Sequence, residues 1–217
     1  MNREEKNQIT RGKILSSAMT EFAAHGYEAA SLNTVCAAGG ISKGIIYHYF
    51  DSKDGLYLAC LRECFDTLTE YLKRHISEET RQEDLLTDYF QIRMNFFQAH
   101  PEYARLFCGA VVFPPDHLRG EILRIRQDFD ALNDHYLTRI LQNRRLRNDL
   151  SRDEIVRAFR MFQDSLNASY QNREELKKPE GTAADAENTE AETDIAVHEK
   201  DCRNLVQIFL YGILERN

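Results

Sequence analysis

The residues best suited to chemistry stand close together in the first quarter of the chain. Ser42, Lys43, Gly44, Tyr47, His48, Tyr49 and Lys53 offer hydroxyls, an imidazole, two ammonium groups and one backbone position without a side chain. Such groups donate hydrogen bonds to phosphate oxygens and base edges, so the chemistry they suit is nucleic-acid recognition. Ser42 is a good helix N-cap, because its hydroxyl can accept from free N–H groups in the next turn. The segment after it is too short for an ordinary core helix and rich in aromatics. Gly39-Gly40, just before it, fits the tight joint of a helix-turn-helix. The competing reading is an ordinary exposed helix, against which the run Tyr47-His48-Tyr49 weighs.

Other chemistry finds little support. The sequence has no Gly-rich phosphate loop after a strand, no nucleophile elbow and no HExxH pair, so no catalytic residue and no cofactor is expected. Cys60 and Cys64 are four apart and share a helix face. Two ligands are too few for a closed zinc site, and no histidine stands at matching spacing, so no metal is expected. Burial as small hydrophobes is favoured over a metal or redox sensor. The five cysteines are odd in number and scattered, which argues against a disulfide framework.

The elements that must position these residues read as helices throughout. Gly (10) and Pro (4) are sparse in 217 residues, which argues against a turn-rich sheet. Residues 1–7 are polar and expected to fray. A first helix runs from about Ile9 to Gly26, a second from Leu32, capped by Ser31, and a third over about Lys43–Phe50. Ile14, Ala18, Phe22, Leu32, Val35, Ile41, Ile46 and Phe50 are the expected core of this three-helix head, residues 1–53. A fourth helix to about His75 leads into the body, residues 54–217. A fifth stops before Pro101, a sixth follows it, and a seventh is expected to run unbroken over residues 116–144. Ser151 caps the eighth. Residues 177–194 are acidic, almost without large apolar side chains, and read as a flexible loop. The last helix, from about Ala196 to Glu215, is apolar on two faces, as burial against its own body and a second subunit would require.

Composition and charge bound the partners. The apolar content of 42% supports a sizeable core, yet no stretch reaches the ~20 apolar residues of a membrane span. A cytoplasmic protein without membrane contact is expected. The net charge of −7 looks wrong for a DNA binder, but residues 1–53 hold six Lys/Arg against five Asp/Glu, so the acidity lies in the body. Only the head need touch DNA.

Residues 9–56 resemble the DNA-binding head of the TetR family of bacterial transcriptional regulators. The resemblance is carried by Ala18, Phe22, His25-Gly26-Tyr27, Ser31-Leu32, Val35, Ala37-Ala38, Gly40-Ile41-Ser42-Lys43-Gly44, Tyr47-His48-Tyr49-Phe50, Lys53 and Leu56. Cys36 and Gly39 depart from the family's usual larger aliphatic and alanine. The remainder of the chain is similar to the family only in general plan. The resemblance implies an all-α fold: a helix-turn-helix head on a larger helical body, about nine helices in all.

It also implies a sequence-specific regulator, most simply a repressor released from double-stranded operator DNA by an unidentified small-molecule effector. An activator or a protein-controlled regulator shares the same head, and a helical enzyme or scaffold with a vestigial head is the more distant alternative. Lys43 and the Gly44 backbone are the candidates for base contact. Ser42, Tyr47, His48 and Lys53 are the candidates for phosphate, and Asn33 and Thr34 for either. Tyr49 fits a phosphate contact or half-burial beside Phe50. The family places its effector pocket among the middle helices, which singles out Phe90, Met94, Phe97, Tyr103, Phe107, Phe129, Tyr136 and Phe162; the sequence alone gives only core there. A homodimer follows from geometry, since two heads must enter successive major grooves ~34–36 Å apart. The last two helices supply its candidate interface: Phe159, Leu166, Tyr170, Leu205, Ile208, Phe209, Gly212 and Ile213.

Overall fold

The computed structural model describes residues 2–142, 144–176, 204–205 and 207–213, with side chains only to Asn167 in the segment ending at 176. The acidic segment 177–194, Tyr170's side chain, Val206 and Leu214 lie outside the described residues. The helices are α1 (Arg3–Ala29), α2 (Leu32–Gly39), α3 (Lys43–Tyr49), α4 (Lys53–His75), α5 (Leu85–Ala99), α6 (Pro101–Val112), a 3-10 turn (Asp116–Leu118), α7 (Arg119–Ile125), α8 (Gln127–Leu141) and α9 (Arg152–Leu176). Residues 204–205 and 207–213 are also helical.

Local chemistry sets most of the boundaries. Gly26 leaves helical geometry at φ +70° and breaks α1, so that Tyr27 stands on a separate final turn. Gly40 ends α2 in the left-handed region at φ +60°, where its N–H reaches the Ala37 carbonyl. Pro101 opens α6 at the first helical position, where a missing N–H costs nothing. Ser151 and Glu154 close a reciprocal capping box at the start of α9.

Two expectations are corrected. The first residues do not fray: Asn2 Oδ1 accepts from the Glu5 N–H at 2.7 Å while Glu5 Oε2 accepts from the Asn2 N–H at 2.9 Å, so α1 begins at Arg3. The helix expected over 116–144 is divided. Arg126 sits at φ −84°, ψ 1°, between α7 and α8, with its guanidinium folded onto the Asp130 carboxylate at 2.9–3.1 Å.

The chain folds into two compact units. The first comprises Met1–Tyr71 and Phe96–Asp130. Here α1 packs on α2 and α6, and α4 meets α1 through Phe22 and Tyr57, whose rings are 5.0 Å apart edge to face. Ile14, Ala18, Phe22, Val35, Ile46 and Phe50 are buried as expected, while Leu32 and Ile41 are half-buried. Leu56, Leu61, Phe65 and Leu68 form the inward stripe of α4. The second unit comprises Leu72–Asn95 and the described residues from Ala131 onward. Tyr89, Tyr136, Leu137, Ile140, Ile155 and Phe159 are buried in it.

Candidate nucleic-acid interface

The sequence of α3 allows only one side chain a full inward role. Ile46 is completely buried, and Phe50, just past the helix, is 7% exposed. The rest of the helix is thereby left facing out: Lys43, Gly44, Tyr47 and His48 are exposed, and Tyr49 is half-buried. Ser42 caps the helix, its Oγ accepting from the Ile45 N–H at 3.3 Å. A Cβ built on Gly44 would meet nothing nearer than Ser42 Oγ at 3.9 Å, so the backbone there is open to close approach. Asn33 and Thr34 are exposed on the first turn of α2.

Two candidates are tied to neighbours. Tyr49 OH donates to Asn7 Oδ1 at 2.8 Å, joining α3 to α1, and its ring meets His48 edge to face at 5.2 Å. Lys53 donates from Nζ to the Glu28 carbonyl at 3.0 Å and lies 4.8 Å from the Tyr27 ring centroid. An ammonium has three donors, so Lys53 keeps capacity for a phosphate oxygen, whereas the single O–H of Tyr49 is given to Asn7.

Three features were missed from sequence. Ile45 is exposed beside the polar set, the one large aliphatic side chain on the outward face of α3. Arg11 lies over the Phe50 ring at 5.6 Å, adding a fixed cation near α3. Glu21, buried on α1, accepts from the Ser31 N–H at 2.8 Å and so helps to set the start of α2. The Asn2-x-x-Glu5 spacing was the signal for the first turn of α1 and for the order of Asn7 and Arg11.

The eight effector candidates divide between the units. Phe97, Phe107 and Phe129 join Phe65 in the first, with ring centroids 5.1–5.8 Å apart, and Tyr103 is half-buried nearby in sequence. Phe90, Tyr136 and Phe162 gather around Tyr89 and Phe209 in the second, and Met94 is half-buried there. Tyr103 and Tyr136 hydroxyls are each pushed up to about 12, first by burial and then by the charges of Glu63 and Glu78 respectively. Of the interface candidates, Phe159, Leu166 and Ile213 are buried in their own unit, Phe159 against Phe209 at 5.8 Å. Leu205 and Ile208 are exposed, Gly212 is exposed, and Phe209 is half-buried. The outward apolar residues also include Met161 and Tyr211, each 72% exposed, which sequence reading missed.

Cys60 and Cys64 are fully buried, donating to the Leu15 and Tyr103 carbonyls at 3.8 and 3.5 Å. Burial holds both thiols well above the ordinary cysteine range, the reverse of what a reactive thiolate needs. Among the described residues no three His, Cys, Asp or Glu side chains gather as a metal site, and no helix is long and apolar enough to cross a membrane.

Three successive helices, α1 to α3, with the short third one facing outward after a glycine joint, define a helix-turn-helix protein of the DNA-reading class. Comparison with known proteins makes this particular. Residues 14–60 match the family of bacterial regulatory proteins named tetR, and residues 80–199 match the tetracyclin repressor-like C-terminal domain; the chain belongs to the TetR family. It is 29% identical over 124 residues to the HTH-type transcriptional regulator RutR of Escherichia coli K12, covering 55% of this chain and 58% of that protein. It is 26% identical over 121 residues to the negative regulator IcaR of the biofilm operon icaADBC of Staphylococcus aureus Newman, covering 55% and 63%. The aligned part thus spans less than two thirds of either relative. The fold is shared with FadR of Bacillus subtilis, solved in complex with stearoyl-CoA, at a TM-score of 0.71 and 15% identity over 93% of this chain and 98% of that one. A tetR family regulator from Shewanella sp. PV-4 gives 0.67 and 12%, over 95% and 99%.

Proposed function

We propose that this chain is a cytoplasmic, non-enzymatic, sequence-specific repressor that binds double-stranded operator DNA as a homodimer and leaves it when a small molecule binds the body. One observation carries the reading: α3 buries Ile46 and leaves Lys43, Gly44, Tyr47 and His48 outside the core. The reading head we assign is residues 1–53 and the controlling body residues 54–217, a functional division that differs from the two compact units of the fold. IcaR is a negative regulator and FadR was solved with stearoyl-CoA, which supports repression and effector control without naming this chain's effector. The dimer face we assign is the set of exposed apolar residues Leu205, Ile208 and Tyr211 with Met161 of α9, because exposed apolar side chains gathered on a helix mark an interaction surface.

The test is fluorescence anisotropy with DNA from upstream of the chain's own gene. Lys43→Ala relaxes specificity at particular base pairs by ~1–3 kcal/mol, whereas Tyr47→Phe weakens all DNA alike, because phosphate carries no sequence information. A binding-site selection on Lys43→Ala that returned the unaltered motif would refute the base contact. For the body, a thermal-shift screen finds the effector, and Phe97→Ala and Phe90→Ala then tell which unit holds it.

A further inference from the structure

Tyr27 is the point where three segments of the first unit meet. It stands on the last turn of α1, beyond the break at Gly26. Its hydroxyl donates to Asp54 Oδ1, in the first turn of α4, and lies 3.3 Å from His117 Nε2. His117 Nε2 is also 3.4 Å from Asp54 Oδ2, and its ring is 5.5 Å from that of Tyr27. His117 belongs to the 3-10 turn after α6, behind Pro114-Pro115 and anchored by the buried Leu118. On its inner side Tyr27 is packed by Phe22 and Tyr57, with centroids at 6.5 and 5.1 Å.

The same ring seats Lys53. Its Nζ is 4.8 Å from the Tyr27 centroid and donates to the Glu28 carbonyl at 3.0 Å. The ring attracts the charge without using a donor, and the carbonyl uses one, so the ammonium is held in place with capacity left for a phosphate. Asp54 joins the pieces: one carboxylate oxygen takes the Tyr27 hydroxyl and the other faces His117. Asp116 pairs with Arg119 at 2.7 Å, and Glu28, next to Tyr27, adds its charge to that of Asp54 at the Tyr27 hydroxyl. Both His117 (53%) and Asp54 (40%) are partly exposed, so the contact between them can break and re-form without opening the core.

We propose that Tyr27, Asp54 and His117 form a latch through which the turn after α6 positions Lys53 for the DNA backbone. The inference rests on the DNA-binding reading above. With His117 in place, the Tyr27 hydroxyl has two partners and the ring cannot turn away from Lys53. When the 116–118 turn moves, the ring is released and the ammonium loses its seat. Tyr27, Asp54 and His117 are positioning residues; of these four side chains only Lys53 touches phosphate.

The experiment is a double-mutant cycle on DNA affinity, read as a function of salt. Lys53→Ala lowers affinity and flattens the slope of log K against log salt by about 0.9 per head. His117→Ala lowers affinity about two- to five-fold and flattens the slope in the same direction, and His117→Gln, which can donate the same hydrogen bond, restores both. In the Lys53→Ala background His117→Ala has no further effect. An equal loss with and without Lys53, or no loss at all, overturns the latch. If the unaltered chain binds no DNA, the DNA-binding reading fails, and the latch is judged by a second measurement. In the reductively 13C-methylated protein, the Lys53 methyl resonance carries the ring-current shift of Tyr27. His117→Ala moves it toward the value in Tyr27→Leu; an unmoved resonance overturns the latch.

Discussion

Both units pack aromatic rings against one another, but the second adds a buried polar network around one of them. In the first, Phe65, Phe97, Phe107 and Phe129 meet ring against ring. In the second, Tyr89 donates to Asn133 at 2.7 Å and accepts from Gln163 at 3.0 Å, while Arg93 donates to Asn167 nearby. All five of these polar residues are at least nine-tenths buried. Contact between rings weakens gradually as shape changes. A buried hydrogen bond fails outright, because the abandoned partner has been taken out of water and regains nothing. The first cluster should therefore tolerate changes of shape, and the second should not tolerate the loss of a single oxygen.

Truncation to alanine sets the upper end of the scale. Phe107→Ala empties a site 1% exposed and should cost ~3–5 kcal/mol in chemical denaturation. Tyr89→Phe keeps the ring and removes one atom, yet it strands both the Asn133 carbonyl and the Gln163 amide, for a cost of about 1–3 kcal/mol. Phe107→Leu, a larger change in shape, should cost less than about 1.5 kcal/mol once the neighbours relax. The contrast breaks if Tyr89→Phe is neutral while Phe107→Leu is severe. Measuring Asn133→Ala and Tyr89→Phe together sharpens it, since two members of one network must be strongly non-additive.

The same distinction explains what could be read from sequence. Helix ends marked by a residue type were legible: the Ser42 and Ser151 caps, the Gly26 break, the Gly40 exit and the Pro101 entry. The outward face of α3 was legible because its residues are contiguous, and one periodicity places Ile46 in and Lys43, Tyr47 and His48 out. The division of residues 116–144 at Arg126 was not, because no Gly or Pro marks it; a side chain folded four residues forward accompanies the turn. The partners of Tyr27 were not, because Asp54 and His117 come from distant segments. Nor could sequence say which side of an apolar helix faces its own unit. Ile213 turns inward and Ile208 outward on the same helix, a choice made by tertiary packing. The eight effector candidates were chosen by type, and type does not report that they belong to two separate clusters.

The smallest effect tests whether the second unit's reliance on satisfied polar groups extends to its surface. Glu154 accepts from both the hydroxyl and the N–H of Ser151, at 2.7 and 2.8 Å. The hydroxyl first, and the backbone N–H second, hold its carboxyl below the usual glutamate range. A carboxyl depressed in the folded state contributes stability above its unfolded pKa of about 4.3, and that contribution is lost as pH falls through the folded value. The box therefore stabilises α9 at neutral pH and opens in acid. Ser151→Ala removes the stronger of the two bonds and the cap itself, at about 1 kcal/mol near pH 7. Protonating Glu154 weakens the box on its own, so the penalty for Ser151→Ala should shrink below pH 4. In a carboxyl-detected NMR titration the Glu154 resonance of the variant should titrate at higher pH than in the unaltered chain. An identical titration in both would mean that the hydroxyl contact does not hold in solution, and that polar satisfaction in this unit ends at its core.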